Sequence, residues 1–248
     1  EMCIRDRALT TPFSTLFSNA GEGNPEVLFY VGYSAETVDD VKTDGNKQQA
    51  HFCDYLDGQE KGHKYTSSTL TPTLWMHEVF NTNTTNPAQD ERYEATFMTE
   101  LRVSYWDYYG ENKNTSKVTY YYCPSWEIAN IDTWRSALPS RADAQVVEML
   151  PEGININGIK TTYESKMKED VYGVASFRKF DDTENGKTYF SVNSSMRDIY
   201  LARLGETNLI AAEACIKAND IAGALTYVNI VRNRANATPA TEAEMSIE

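Results

Sequence analysis

The sequence predicts a mainly α fold, a tetratricopeptide-like helical hairpin joined to an irregular loop and β-hairpin region. Three observations predict it. Residues 197–237 carry the strongest helical periodicity in the chain. Residues 95–106 alternate like a strand and can pair with residues 118–123. Residues 35–68 are polar, turn-rich and without a period. The organisation expected is one domain over residues 8–248, with an irregular, β-containing ligand region at 24–190 and the hairpin at 197–237.

In chain order, EMCIRDR at residues 1–7 has no basic-then-apolar layout and reads as a non-native scar, so Cys3 is not read as a lipidated cysteine. Residues 8–24 mix Thr, Ser, Phe and Gly and suit a short helix or loop. NPEVLFYVGYS, residues 24–34, is apolar on both alternating faces and predicts a strand covered on both sides. The excursion that follows contains Gly45, Gly58 and Gly62 as turn markers. Thr71-Pro72-Thr73 then opens a short helix, LWMHEVFN, with Thr71 as its cap and Pro72 at the first position.

The strand at 95–106 puts Phe97, Leu101 and Val103 on a core face, and Glu100, Arg102 and Trp106 on a polar face. GENKNTS at 110–116 is a loop, and VTYYYC at 118–123 returns as the antiparallel partner. Residues 124–158 suggest short helices near 133–137 and 141–149, while Trp75 and Trp134 fall in helix-like settings as core residues. A polar linker, DTENGKTYFSVN, leads into the hairpin. There, Ile221, Ala224, Leu225, Val228, Val231 and Ala235 draw one stripe on a helix, capped by Asp220 and closed by Arg232 and Arg234 at the cation-favouring end. The same pattern runs earlier through Tyr200, Leu204, Ala211 and Cys215. The join Ala218-Asn219-Asp220 is so short that the two helices must lie antiparallel. The end, EAEMSIE, reads as the start of a further helix, and the chain as a fragment.

Composition narrows the function. A net charge of −13 excludes a phosphate backbone and anionic lipid heads as natural partners. It leaves uncharged ligands open. Tyr is abundant, 16 against 9 Phe, and Tyr and Trp offer an apolar face with a polar tip. No nucleophile elbow, phosphate loop or H-E-x-x-H helix is present. His51, Cys53, Asp57 and His63 share one excursion, but without the paired spacing of zinc sites they read as solvated loop residues. No metal and no cofactor is expected. Sugar rings stack their C–H faces on flat aromatics, while carboxylates, amides and guanidinium groups take the hydroxyls. Trp106, Tyr108, Tyr109 and Trp126 are the candidate platforms, with Arg102, Asp107 and Asn112 as hydroxyl partners.

Several segments share a pattern. An R-x-x-x-x-x-R-L-x-E opening from Arg197 precedes A-A-E-A at 211–214 and D-x-x-x-A-L-x-Y-V-N-x-V-R-x-R-A from Asp220. N-P-E-V-L-F, D-x-R-Y at 90–93, and Y-x-x-x-x-F-R-K-F with Lys179 and Phe180 join them. Together they resemble the SusD/RagB family of Bacteroidetes surface lipoproteins. The resemblance implies an α-α superhelix of tetratricopeptide-like hairpins with an irregular ligand region. It also implies a non-catalytic role in polysaccharide utilisation: binding an oligosaccharide at the outer membrane, through a lipid anchor missing from this fragment, and delivering it to a SusC-like TonB-dependent transporter. A helical interaction scaffold without a sugar site is the main alternative, and a glycoside hydrolase the lesser one.

Overall fold

The computed structural model describes residues 7–9, 11–34, 36, 45–52, 70–82, 90–103, 115–162, 165, 175–182 and 195–245. The architecture is mixed α/β, which corrects the mainly α expectation. Short helices α1 (Phe13–Leu16), α2 (Gln48–Phe52), α3 (Leu74–Thr82) and α4 (Glu91–Thr96) surround strands β1 (Val27–Val31), β2 (Phe97–Met98) and β3 (Glu100–Arg102). Next come β4 (Val118–Pro124), α5 (Ile131–Ser136), β5 (Gln145–Leu150), β6 (Gly153–Ile156), β7 (Ile159–Thr161) and β8 (Ser176–Phe177). The chain closes with β9 (Ile199–Arg203) and the hairpin α6 (Leu204–Lys217) and α7 (Ile221–Arg234).

A five-stranded sheet, ordered β3-β4-β5-β6-β7, organises the middle of the chain. Its pairs are antiparallel except β4 with β5, which run parallel and are bridged by α5 and its flanking turns. A parallel pair needs such a crossover, whereas β5 with β6 and β6 with β7 close through two-residue turns. Successive residues of β4 face opposite ways. Tyr122 joins the core cluster with Phe97, Leu101, Val147, Met149 and Ile154. Tyr121 turns to the other face and stacks on Trp134, ring centroids 3.9 Å apart and 10° from parallel.

Several segments depart from the sequence reading. Residues 95–106 are not one strand. Asp90 accepts from the Arg92 N–H and caps α4, which runs to Thr96, so the helix takes the first positions of the alternating run. Residues 97–102 are covered on both faces, with Glu100 and Arg102 as buried as Leu101, while Val103 is exposed. QVVEML at 145–150 forms β5 rather than a helix, because two adjacent β-branched residues suit the pleat and Val147 and Met149 reach the core by alternation. Asn157-Gly158, both at positive φ, form the two-residue turn between paired Ile156 and Ile159. Thr73, not Thr71, serves the start of α3, its hydroxyl accepting from Met76 N at 3.2 Å.

β1 forms as expected but is exposed rather than covered: Phe29, Tyr30 and Val31 all face solvent. Among the described residues it pairs only with β9, which occupies residues expected to begin the first hairpin helix. The hairpin itself forms. Asp220 accepts from Gly223 N at 2.9 Å, and Asn219, at φ 59°, supplies the left-handed residue that ends α6. Asp220 N then reaches Cys215 O at 2.8 Å and Asn219 N reaches Ile216 O at 2.9 Å, a Schellman closure. Asn236 repeats this after α7, with Ala237 N on Arg232 O at 3.0 Å. Ala212, Ala224 and Val231 are buried, whereas Leu209, Ile210 and Ile230 remain exposed. Cys215 is half-buried rather than interior, and it and Cys123 are free thiols.

Among the core helices, α3 buries His77, 1% exposed, against Phe97 and the Tyr93 hydroxyl, 3.0 Å from Nδ1. Burial holds its pKa down at about 3. The unfolded chain takes up this proton near pH 6.5 and the folded chain does not. The stability that neutral His77 allows is therefore complete above pH 6.5 and is lost as pH falls towards 3. Unfolding in urea should show a loss of about 2 kcal/mol at pH 5 relative to pH 7 from this group, and the difference should vanish in His77→Phe.

Candidate functional site

The candidate ligand surface begins at the β3 edge of the sheet. Trp106, Asp107, Tyr108, Tyr109 and Asn112 lie outside the described residues. The stems of their loop are described. Val103 N donates to Lys117 O at 3.0 Å, continuing the β3–β4 ladder. Arg102 Nη1 donates to Ser116 O at 2.6 Å and Nη2 to Glu100 Oε2 at 2.7 Å. Arg102 is 2% exposed, so its guanidinium ties the stems together from below.

Glu100 gathers three donors. Arg102 meets Oε2, while Arg141 Nη2 at 2.7 Å and Trp134 Nε1 at 2.8 Å meet Oε1. Arg141 also lies over the Trp134 ring, 4.8 Å from its centroid, on which Tyr121 stacks. A buried carboxylate is tolerable only with such pairing. The result is a fixed base of Tyr121, Trp134 and Arg141 beside the loop stems. Trp134 is thus half-buried and hydrogen-bonded rather than an apolar core residue. Burial raises the Tyr121 phenol above its ordinary range and pushes the Cys123 thiol up to about 12, so both stay protonated at neutral pH.

Trp126 sits in the 3-10 turn after β4, half-buried and edge-on to Tyr93 with centroids 4.8 Å apart. It packs partly on the core, and its turn is held to α3 by Asn81 Nδ2 on Ser125 Oγ at 3.3 Å. Trp75 departs most from the sequence reading. It was expected in the core and is 72% exposed. Leu74, His77 and Glu78 take the buried face of α3. Their spacing of three and four was the available signal, since residue 75 falls off that stripe.

A model of the SusD family matches residues 25–248. The chain belongs to the SusD family. Neither the curated proteins nor the solved structures yield a match to it. Several of the motif residues stand in contacts that hold the fold. Glu26 of N-P-E-V-L-F is fully buried between Arg234 at 2.8 Å and Arg203 at 3.8 Å. Asp90 and Arg92 of D-x-R-Y form the cap of α4 and a 2.6 Å ion pair. Among the described residues, no group of three or more His, Cys, Asp or Glu could hold a metal ion.

The Glu100 junction gives a direct test. Glu100→Gln leaves two guanidinium groups short of their shared counter-charge in a covered site. The variant should lose about 3–5 kcal/mol of stability by chemical denaturation, and its Trp134 near-ultraviolet dichroism should weaken.

Proposed function

We propose that this SusD-family chain binds an oligosaccharide at the bacterial cell surface and delivers it to a SusC-like TonB-dependent transporter, without cleaving it. One observation carries the reading: the family match takes in the five-stranded sheet, the β1–β9 pair and the hairpin together. The sugar is met by the loop bearing Trp106, Tyr108 and Tyr109, with Asp107 and Asn112 taking hydroxyls. Arg102 braces that loop at its stems, and Trp126 flanks the adjoining turn. The hydrogen-bonded junction at the stems supports this assignment, because it fixes where the chain leaves and rejoins the sheet. The exposed indole of Trp75 is a further platform.

The transporter contact falls to the hairpin, whose outer face exposes Leu209, Ile210 and Ile230. A lipid anchor at the outer membrane belongs to the same proposal; no helix among the described residues is long and apolar enough to cross a membrane. The reading assigns no catalytic residue and no cofactor. Calorimetry against a panel of neutral oligosaccharides tests it. A saturable ligand is expected, and Trp106→Ala should weaken its binding by about 1–3 kcal/mol. Normal binding by that variant would remove the loop from the site, and release of reducing sugar would replace binding with hydrolysis.

A further inference from the structure

A second candidate site lies where β9 and the segment after β8 meet α1. A cavity of about 200 Å³ opens there, lined by Phe17, Asn46, Lys179, Arg197, Asp198 and Arg203 among others. Its lining carries three cations, Lys179, Arg197 and Arg203, against one carboxylate, Asp198, for a formal charge of +2. In a chain of net charge −13, that is a local reversal of sign.

Lys179 is the centre of this reversal. Its ammonium stands 4.2 Å from the Phe17 ring centroid, 5.4 Å from Phe180 and 5.6 Å from Phe13. No hydrogen-bond acceptor or carboxylate among the described residues meets it. Arg203 converges on the same Phe17 ring, its guanidinium carbon 5.2 Å away. Two cations drawn to one ring repel each other, and aromatic faces return less than a counter-ion does. Arg203 shares Glu26 with Arg234 at 3.8 Å, and Arg197 donates to a neutral carbonyl, that of Asp181, at 2.6 Å. Asp198 is engaged on the far side by Tyr33 N at 3.1 Å, and Asp182 by the Ser195 hydroxyl at 2.7 Å. Glu22 accepts from Asp198 N at 3.1 Å, and burial raises its pKa.

We propose that this cavity binds a carboxylate-bearing ligand, such as an acidic sugar unit, with the carboxylate on Lys179 and the carbon skeleton against Phe17 and Tyr200. The proposal stands whether or not the aromatic loop holds sugar. A carboxylate fits better than phosphate, because Asp198 on the lining opposes a second negative charge. The apolar surface of Phe17 and Tyr200, whose rings pack on each other with centroids 6.1 Å apart and tilted by 44°, suits C–H groups rather than a bare inorganic ion. Burial and the charge of Arg203 together bring the Lys179 pKa down to about 8. Tyr200, held up at about 12 by burial, stays neutral across the same range. A bound anion therefore raises the Lys179 pKa, and binding weakens as pH rises through 8.

The test is a titration of the whole chain with sodium glucuronate, with glucose and with sodium phosphate, followed by carbon NMR of labelled lysine side chains. Glucuronate should bind saturably at pH 7, raise the Lys179 pKa, and bind about tenfold more weakly at pH 9. Lys179→Met should lose at least about tenfold in glucuronate affinity, while Trp106→Ala leaves it unchanged. Equal binding of glucose would overturn the proposal, as would an unchanged Lys179 pKa at saturating glucuronate. A response to phosphate alone would also overturn it and mark an adventitious ion only. The wild-type pKa measurement decides the matter even if Lys179→Met does not fold.

Discussion

The carboxylate of Glu26 is the constraint on which the arrangement depends. It is fully buried, with Arg234 at 2.8 Å and Arg203 at 3.8 Å. Its own carbonyl accepts from Leu204 N at 2.9 Å, at the point where β9 becomes α6. One residue near the start of the chain therefore fixes the end of α7, the β9 strand and the entry to α6. A two-helix hairpin cannot bury its apolar face alone. Here it is held by a charge pair whose separation would strand ions in a water-poor site. The cap of α4 completes the attachment, since Glu91 N donates to Ala235 O at 3.0 Å just beyond α7.

The same contacts explain why the family pattern is readable in this chain. Glu26, Arg203, Arg234, Asp90 and Arg92 are each answerable to a specific partner within the fold. Such positions tolerate few alternatives, because a lysine cannot reproduce a guanidinium fork and an amide cannot answer a buried cation. Family membership therefore identifies the scaffold and leaves the ligand to be argued from particular side chains.

The hairpin was legible in the sequence because both of its devices are local. A 3.6-residue stripe and an Asp at the first turn need no distant partner to be recognised. The sheet was harder. QVVEML carries its apolar residues at spacings that suit either a strand or a buried helix, and only pairing with β4 decides it. Asn157-Gly158 was a signal of a tight hairpin that could have been read from the residues themselves. The polar side chains of Glu100 and Arg102 suggested a wet face. They are buried because the Glu100 carboxylate is shared by Arg102 and by Arg141, which lies 41 residues after it. Pairing across such a distance leaves no periodic trace. Trp75 was misplaced for the opposite reason: an indole suggests a core, but helix phase decides which way it points.

Two surfaces of different chemistry follow from this frame under the proposed reading, an aromatic loop for a neutral sugar and a cationic cavity for a carboxylate. The cavity depends on Glu26 holding the hairpin and β9 in place, since Arg203 lines it and β9 supplies its wall. Hydrogen exchange on Glu26→Gln tests that dependence most directly. The amides of β1, β9, α6 and α7 should exchange faster together, while those of β4, β5 and β6 keep their wild-type protection. Unchanged protection across α6 and α7 in this variant would contradict the account.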